Sequence, residues 1–298
     1  MTAIAAVPTT RPSLAVFGAA GFSVLIWSGT LVVTRVAVAT IDGITIGILR
    51  TVVAALIVLP LLWWVPARGP RRAGEWGLLA IAALGGFVVF PVLFSLGLHY
   101  TVAAHGALIM AGLPAFTGLF LHMLERRWPS PRWWIGIALA LGGEAFLIGS
   151  ASGLTGGSVL GDVLMLGGCA AAASGYIAGS RLGQSIGSWS TTCFACLSGA
   201  ALMLPALPFL LPRSGLFEAG IAGWSGILYL GLLATLLAYV TWYWALGRGG
   251  IARMAPLQFL QTPIAIVLAV VLLGEPLPPA LLGAGICILG GVALAQRG

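Results

Sequence analysis

The chain has 298 residues, of which 60% are hydrophobic and only 7% are charged, and its mean hydropathy is +1.08. Soluble domains carry about 25% charged residues, so this composition excludes a water-soluble globular protein. The formal net charge is +7, but the basic residues are spread over loops, and no run of them is typical of a nucleic-acid site.

Ten apolar stretches follow one another along the chain. A helix needs about 20 apolar residues to cross roughly 30 Å of hydrocarbon. The sequence therefore predicts an all-α integral membrane protein with ten transmembrane helices: residues 13–34, 43–65, 76–98, 101–124, 133–150, 160–180, 189–211, 221–246, 252–273 and 278–296.

All 14 basic residues are arginines, and their placement predicts the orientation. Ten spans put both termini on one side, which also carries eleven of the arginines. The opposite side carries only Arg35 and Arg213, and Arg50 falls inside a span. By the positive-inside rule both termini are expected in the cytoplasm, with residues 1–12 as an N-terminal tail and the protein in a bacterial inner membrane.

The two halves repeat each other at a separation of about 148 residues. The matching elements are Ser28-Gly29 with Arg35 and Ser174-Gly175 with Arg181, and Pro114 with Glu125 and Pro263 with Glu275. The repeats are predicted to be residues 13–150 and 151–298. Because five helices is an odd number, the second repeat must enter the membrane inverted, an arrangement that supports alternating access around a central cavity.

Several of these residues resemble the drug/metabolite transporter superfamily, in its ten-helix EamA-type branch. The similar elements are Trp27-Ser28-Gly29, Leu49-Arg50, Leu113-Pro114 leading to Leu124-Glu125, and Thr262-Pro263 leading to Gly274-Glu275-Pro276-Leu277. The resemblance covers about residues 15–296 and within the branch is greatest to the aromatic amino acid exporters (YddG-like). It implies a central cavity lined by helices 1, 3, 4, 6, 8 and 9, with export from cytoplasm to periplasm.

Aromatic and polar side chains inside the spans are the candidate substrate ligands. A zwitterion leaving water needs hydrogen-bond donors and acceptors, while rings and methionine suit varied side chains. The candidates are Trp27, Ser28, Tyr100, Met110, Tyr176, Tyr239, Trp242, Tyr243, Gln258 and Gln261.

Two matched prolines are the candidate hinges. Pro114 and Pro263 each fall in the middle of a predicted span. A proline inside a helix leaves the carbonyl four residues earlier unpaired, here those of Met110 and Phe259, and kinks the helix. We therefore expect bending at these positions.

Arg50 and Glu144 are the only charges well inside the predicted spans. Counted from the span ends they lie at about 10 Å and about 9 Å depth from the same face. This equal depth predicts a structural charge pair or bundle-facing anchors. Proton coupling by Glu144 and direct contact with substrate are the alternatives.

The sequence predicts neither an enzyme nor a cofactor. It has no lysine and no HExxH motif. His99, His105 and His122 are too scattered for a metal site. The cysteines are predicted to pack as small apolar residues: Cys169, Cys193, Cys196 and Cys287.

The favoured function is a secondary transporter that exports aromatic and other neutral amino acids, and related small metabolites or toxic compounds. An exporter of another metabolite or drug on the same fold is the first alternative, and a channel or scramblase is a weaker one. The expected partners are the amino-acid substrate and the lipid bilayer, without nucleic acid. The protein is expected to be a monomer or a weak homodimer.

Overall fold

The computed structural model describes residues 12–37, 40–100, 109–126, 128–152, 158–273 and 280–297. These residues form no strand, and their ten longest helical runs are numbered α1 to α10. The first five are α1 (Leu14–Ala37), α2 (Gly43–Trp64), α3 (residues 73–100), α4 (Leu113–Glu125) and α5 (Pro131–Ser152). The second five are α6 (Val159–Ile186), α7 (Ser188–Arg213), α8 (Ile221–Gly249), α9 (residues 251–273) and α10 (Ala280–Ala295).

Five helices among the described residues are long and apolar enough to cross a bilayer. They are α2, the Ala73–Phe94 part of α3, α6, α7 and α8. Shorter apolar helical stretches occupy Leu14–Thr30, Ile109–Glu125 and Leu282–Ala295. The apolar residues that exclude a soluble protein therefore form helices, as expected of an all-helical membrane domain.

The third helix of each half contains a π-helical segment. It spans Ala83–Val89 in α3 and Tyr229–Leu237 in α8. Each segment includes a glycine on which another helix packs closely: a Cβ at Gly85 would collide with a backbone oxygen of α6, and a Cβ at Gly231 would press on Val53 of α2. Each π segment therefore lies at a close approach of another helix.

Several helix contacts occur twice. A contact between two helices has a counterpart between the equivalent helices of the other half, whose numbers differ by five. Helix α1 packs against α8 and α9, and α6 packs against α3 and α4. Likewise α2 contacts α8, and α7 contacts α3. The pairs α2–α7, α4–α9 and α5–α10 each join equivalent helices of the two halves.

The α5–α10 pair forms a second, smaller core beside the main one. Its buried side chains include Trp133, Leu147 and Ile288. Gly136 and Gly291 let the two helices approach until a Cβ on either would collide with the other backbone. The main core forms the centre of the molecule, and most of its buried side chains come from α1, α2, α3, α6, α7 and α8.

Pro114 and Pro263 each lie in the first turn of an α-helical segment, Leu113–Glu125 and Gln261–Leu273. Pro114 follows a break at Gly112, which caps α4. In α9 a 3-10 segment, Ala255–Leu260, precedes the α-helix Gln261–Leu273 that contains Pro263. Proline is tolerated in a first turn because an N–H there has no intrahelical acceptor. The irregular backbone therefore lies just upstream of each proline.

Polar contacts join the halves near the end of α6. Arg181 Nη2 donates to Glu125 Oε1 of α4 at 3.1 Å. Ser185 Oγ donates to Glu75 Oε1 at 2.5 Å, and the other oxygen of Glu75 accepts the N–H groups of Arg71 and Arg72 at the start of α3. These contacts fix α6 to α3 and α4 at one end of the bundle.

Candidate functional site

Four aromatic rings from both halves meet at the centre of the bundle, and we call them the aromatic cluster: Trp27, Tyr176, Tyr239 and Trp242. Trp27 of α1 contacts all three other rings, with centroid distances of 5.9 Å to Tyr176, 5.6 Å to Tyr239 and 5.4 Å to Trp242. None is more than 6% exposed. All four rings are among the substrate ligands that the sequence predicts.

The two π segments hold the aromatic cluster in place. Trp27 Nε1 donates to Ala234 O in the π segment of α8 at 2.9 Å. Tyr239 Oη donates to Gly86 O in the π segment of α3 at 3.1 Å. Each π segment thus supplies a backbone acceptor to a ring, a role that the sequence analysis did not predict because it treated both spans as regular α-helices.

Several buried polar atoms in and beside the aromatic cluster have no hydrogen-bond partner among the described residues. They are Trp242 Nε1, Tyr243 Oη, Gln258 Oε1 and Ser180 Oγ. A buried donor or acceptor without a partner costs about 1–3 kcal/mol, so such atoms concentrated in one place indicate a site where another molecule supplies the partners.

Two glutamines of α9 face the aromatic cluster. Gln258 Nε2 donates to Tyr176 Oη at 3.4 Å, and Gln261 Nε2 donates to Trp27 O at 3.5 Å. Tyr243 extends the cluster, with its ring centroid 5.5 Å from that of Tyr239. The structure therefore brings together most of the predicted substrate ligands from α1, α6, α8 and α9.

Arg50 and Glu144 do not form the predicted charge pair. Arg50 Nε of α2 donates to Thr235 Oγ1 in the π segment of α8 at 3.0 Å. Glu144 of α5 instead accepts from Thr262 Oγ1 of α9 at 2.7 Å. Equal depth placed the two charges at one level of the membrane, but depth says nothing about which side of a helix a residue occupies.

Glu144 belongs to a separate polar site beside the smaller core. Its side chain is fully buried, and Oε1 has no hydrogen-bond partner among the residues that the structure describes. The bond from Thr262 ties it to the residue that directly precedes Pro263. A change at Glu144 is therefore positioned to act on the start of the α-helix in α9.

The remaining predicted ligands lie elsewhere or are already satisfied. Ser28 Oγ donates to Val24 O of its own helix at 2.7 Å, which indicates a packing role. Tyr100 is 48% exposed at the end of α3 and does not join the aromatic cluster. Half-buried Met110 contacts Cys169, with their sulfurs 3.6 Å apart.

The cysteines are free, and none of the described ones forms a disulfide. Cys196 Sγ donates to Thr51 O, as expected of a packing residue. His122 is buried with its ring against Trp128. In the part of the chain that the structure describes, no His, Cys, Asp or Glu cluster could hold a metal ion. The side chain of His99, residue His105 and the repeat element 274–277 lie outside the described residues.

The comparisons with known proteins agree with this architecture. The EamA-like transporter family matches residues 15–149 and 159–296. The uncharacterized transporter YdeK of Bacillus subtilis (strain 168) is 32% identical over 92% of this chain and 94% of its own length. A probable terminal-alkyne amino-acid exporter of Streptantibioticus cattleyicolor is 26% identical over 92% of this chain and 91% of its own length.

Two further similarities concern the membrane and the fold. The uncharacterized inner membrane transporter YedA of Escherichia coli (strain K12) is 25% identical over 90% of this chain and 86% of its own length. A solved crystal structure superimposes with a TM-score of 0.81 at 20% identity, covering 97% of this chain and 98% of that chain, so it shares the fold. Together, the family match over both halves and the relative at 32% identity show that the chain belongs to the EamA-like transporter family of the drug/metabolite transporter superfamily.

Proposed function

We propose that this transporter exports aromatic and other neutral amino acids, together with related small metabolites or toxic compounds, by alternating access. The observation that carries the proposal is the aromatic cluster, which joins both halves and is accompanied by unpartnered polar atoms on α6, α8 and α9. Rings suit apolar and aromatic side chains, and the polar atoms suit an amino acid's charged ends. The relative named as an amino-acid exporter supports this substrate class.

The proposed topology is ten transmembrane helices in two inverted repeats, residues 13–150 and 151–298, after a short tail of residues 1–12. Three features support it: the odd number of helices per repeat, the packing pairs related by five, and the π segments in α3 and α8. Inverted repeats can exchange their conformations, so that a central site opens to one face and then to the other.

The proposed orientation places both termini in the cytoplasm of a bacterial cell. The excess of arginines on the terminal side supports it. In that orientation the Arg181–Glu125 and Ser185–Glu75 contacts join the halves at the cytoplasmic end. The four rings fill the centre in this conformation, so substrate entry requires them to move apart.

Counterflow in liposomes tests the substrate class. Purified protein is reconstituted with unlabelled amino acid inside, and uptake of labelled phenylalanine, tryptophan, leucine and alanine is followed. The proposal predicts saturable counterflow that is fastest for the aromatic and larger neutral amino acids. A non-saturable flux without counterflow would identify a channel or scramblase instead, and no flux of any of the four would refute the proposed substrate class.

A further inference from the structure

We infer that Arg50 binds the carboxylate of the transported molecule, so that the site requires a carboxylate on its substrate. This inference rests on the proposed function and adds the chemical group that the site recognises. It also gives Arg50 a different role from the structural pair that its depth in the sequence predicts.

The first argument is the absence of a protein counter-charge in the described part of the chain. Among the described residues, Arg50 hydrogen-bonds only a hydroxyl, that of Thr235. No acidic side chain of the described residues forms an ion pair with it. A charge inside a membrane is costly unless it is paired, and intramembrane arginines mark substrate pathways.

The acidic side chains of α4 and α5 are engaged elsewhere. Glu144 accepts from Thr262 beside the smaller core, and Glu125 pairs with Arg181 at the end of α6. The counter-ion that Arg50 lacks therefore fits an anionic group on a ligand. A guanidinium binds a carboxylate through two parallel N–H···O bonds, and an amino acid of the proposed substrate class supplies this group.

The second argument is the position of Arg50 relative to the unpartnered atoms. Arg50 donates to Thr235, the residue after Ala234, and Ala234 O accepts from Trp27 Nε1 of the aromatic cluster. In the same cluster the Tyr176 hydroxyl accepts from Gln258 Nε2. The free oxygen of that amide, Gln258 Oε1, is buried and without a partner among the described residues. A zwitterion lying along Tyr176 can therefore place its carboxylate at Arg50 and its ammonium at Gln258 Oε1, with its side chain between the rings.

The test measures binding of three phenyl compounds to the purified full-length protein by isothermal titration calorimetry. Phenylalanine carries both charged groups, 3-phenylpropionate lacks the ammonium, and phenethylamine lacks the carboxylate. We expect phenylalanine to bind most tightly, 3-phenylpropionate to bind more weakly, and phenethylamine to bind at least about 30-fold more weakly than phenylalanine. This comparison needs no variant and stays informative if substitutions disturb folding.

Variants then assign the effect to Arg50. Arg50→Gln is expected to weaken the binding of phenylalanine and of 3-phenylpropionate by at least about 30-fold, and to change the binding of phenethylamine little. Arg50→Lys is expected to bind phenylalanine and 3-phenylpropionate with an affinity between those of the native protein and Arg50→Gln, because lysine keeps the charge without the planar guanidinium. Exposed Arg213 provides the matched control, and Arg213→Gln is expected to bind all three compounds as the native protein does.

The outcomes separate this inference from the proposed function. Equal affinity of the native protein for phenethylamine and phenylalanine would overturn the inference, as would unchanged phenylalanine binding by a folded Arg50→Gln protein, while amino-acid counterflow would still stand. Arg50-dependent binding of 3-phenylpropionate without any amino-acid counterflow would support the inference and refute the proposed substrate. Binding of none of the three compounds would overturn both.

Discussion

The hydroxyls of Tyr239 and Tyr243 show how individual residues divide between structure and binding. Both tyrosines are fully or almost fully buried on α8. Tyr239 Oη donates to Gly86 O, whereas Tyr243 Oη has no partner among the described residues. The same chemical group therefore has a structural role at one position and is available to a ligand at the other.

Phenylalanine substitutions distinguish these two roles. Tyr239→Phe is expected to lower stability by about 1 kcal/mol, because it removes a hydrogen bond and leaves a buried carbonyl unpaired. Tyr243→Phe removes an unpaired hydroxyl and is expected to leave stability unchanged or slightly higher. Thermal unfolding in detergent measures both, and a larger loss from Tyr243→Phe than from Tyr239→Phe would contradict the assignment.

Glu144 is the residue through which we expect a proton gradient to act. Its carboxyl is buried, with one oxygen bonded to Thr262 and the other without a partner among the described residues. Cys287 of α10 packs against the neighbouring Gly143. Gain or loss of a proton at Glu144 would change its bond to Thr262 and so the start of the α-helix containing Pro263.

Liposome transport with an imposed pH gradient tests this coupling. The native protein is expected to transport faster with the gradient than without it, and Glu144→Gln is expected to lose that response. Glu218 is exposed and provides the control, since Glu218→Gln should keep the response to the pH gradient. If the native rate is the same with and without the gradient, Glu144 does not couple protons.

At the scale of elements, the close approach of α3 and α6 depends on glycine. A side chain at Gly85 would collide with the backbone oxygen of Ala171, and backbone cannot move aside as a flexible side chain can. Gly77, on the same helix, has nothing within 4 Å of the position of a Cβ. The two glycines are therefore a matched pair within one element.

Alanine substitutions at these glycines should have opposite effects. Gly85→Ala is expected to destabilise the protein by about 1–3 kcal/mol through overpacking. Gly77→Ala is expected to be neutral or to stabilise it by up to about 1 kcal/mol, because alanine favours the helix. Thermal unfolding compares them, and similar melting temperatures for the two variants would show that α3 and α6 do not pack as closely as described.

The junction in α9 between the 3-10 segment and the α-helix is the candidate bending element. Pro263→Ala restores an N–H in the first turn and allows the α-helix to extend toward Phe259. We expect turnover in counterflow to fall several-fold while substrate affinity changes less than about twofold. The control is Pro208→Ala, the same substitution at an exposed proline. Unchanged turnover in Pro263→Ala would remove the hinge role.

Sequence patterns predict where the helices lie, but they do not predict the internal geometry of those helices. The predicted span 133–150 corresponds to Pro131–Ser152, and 221–246 corresponds to Ile221–Gly249. The π segments were not predicted, because a π turn retains the apolar composition of an α-helix, although Gly85-Gly86 marks the one in α3.

The site was partly predictable for a similar reason. The choice of aromatic side chains inside the spans identified Trp27 and Tyr239, which lie in the aromatic cluster. Depth could not place Arg50 beside Thr235 or Glu144 beside Thr262, because those contacts depend on helix rotation and on neighbours distant in sequence. The same limit explains why Tyr100 was grouped with residues that it does not join.

At the scale of the whole molecule, the two halves meet at the aromatic cluster and are also joined at the end of α6. The ion pair between Arg181 and Glu125 connects the second half to the first, and its side chains are about one-third exposed (32% and 27%). Alternating access requires this end to open, so the pair must separate in each transport cycle.

Reversible cross-linking of this pair tests alternating access most directly. Arg181→Cys and Glu125→Cys are combined in a chain whose four native cysteines are replaced by alanine, and a short disulfide-forming bifunctional reagent joins them. Each single-cysteine variant treated with the same reagent is the control. The account predicts that cross-linking stops counterflow and that reduction restores it. Counterflow that continues at the uncross-linked rate in the fully cross-linked protein would contradict it.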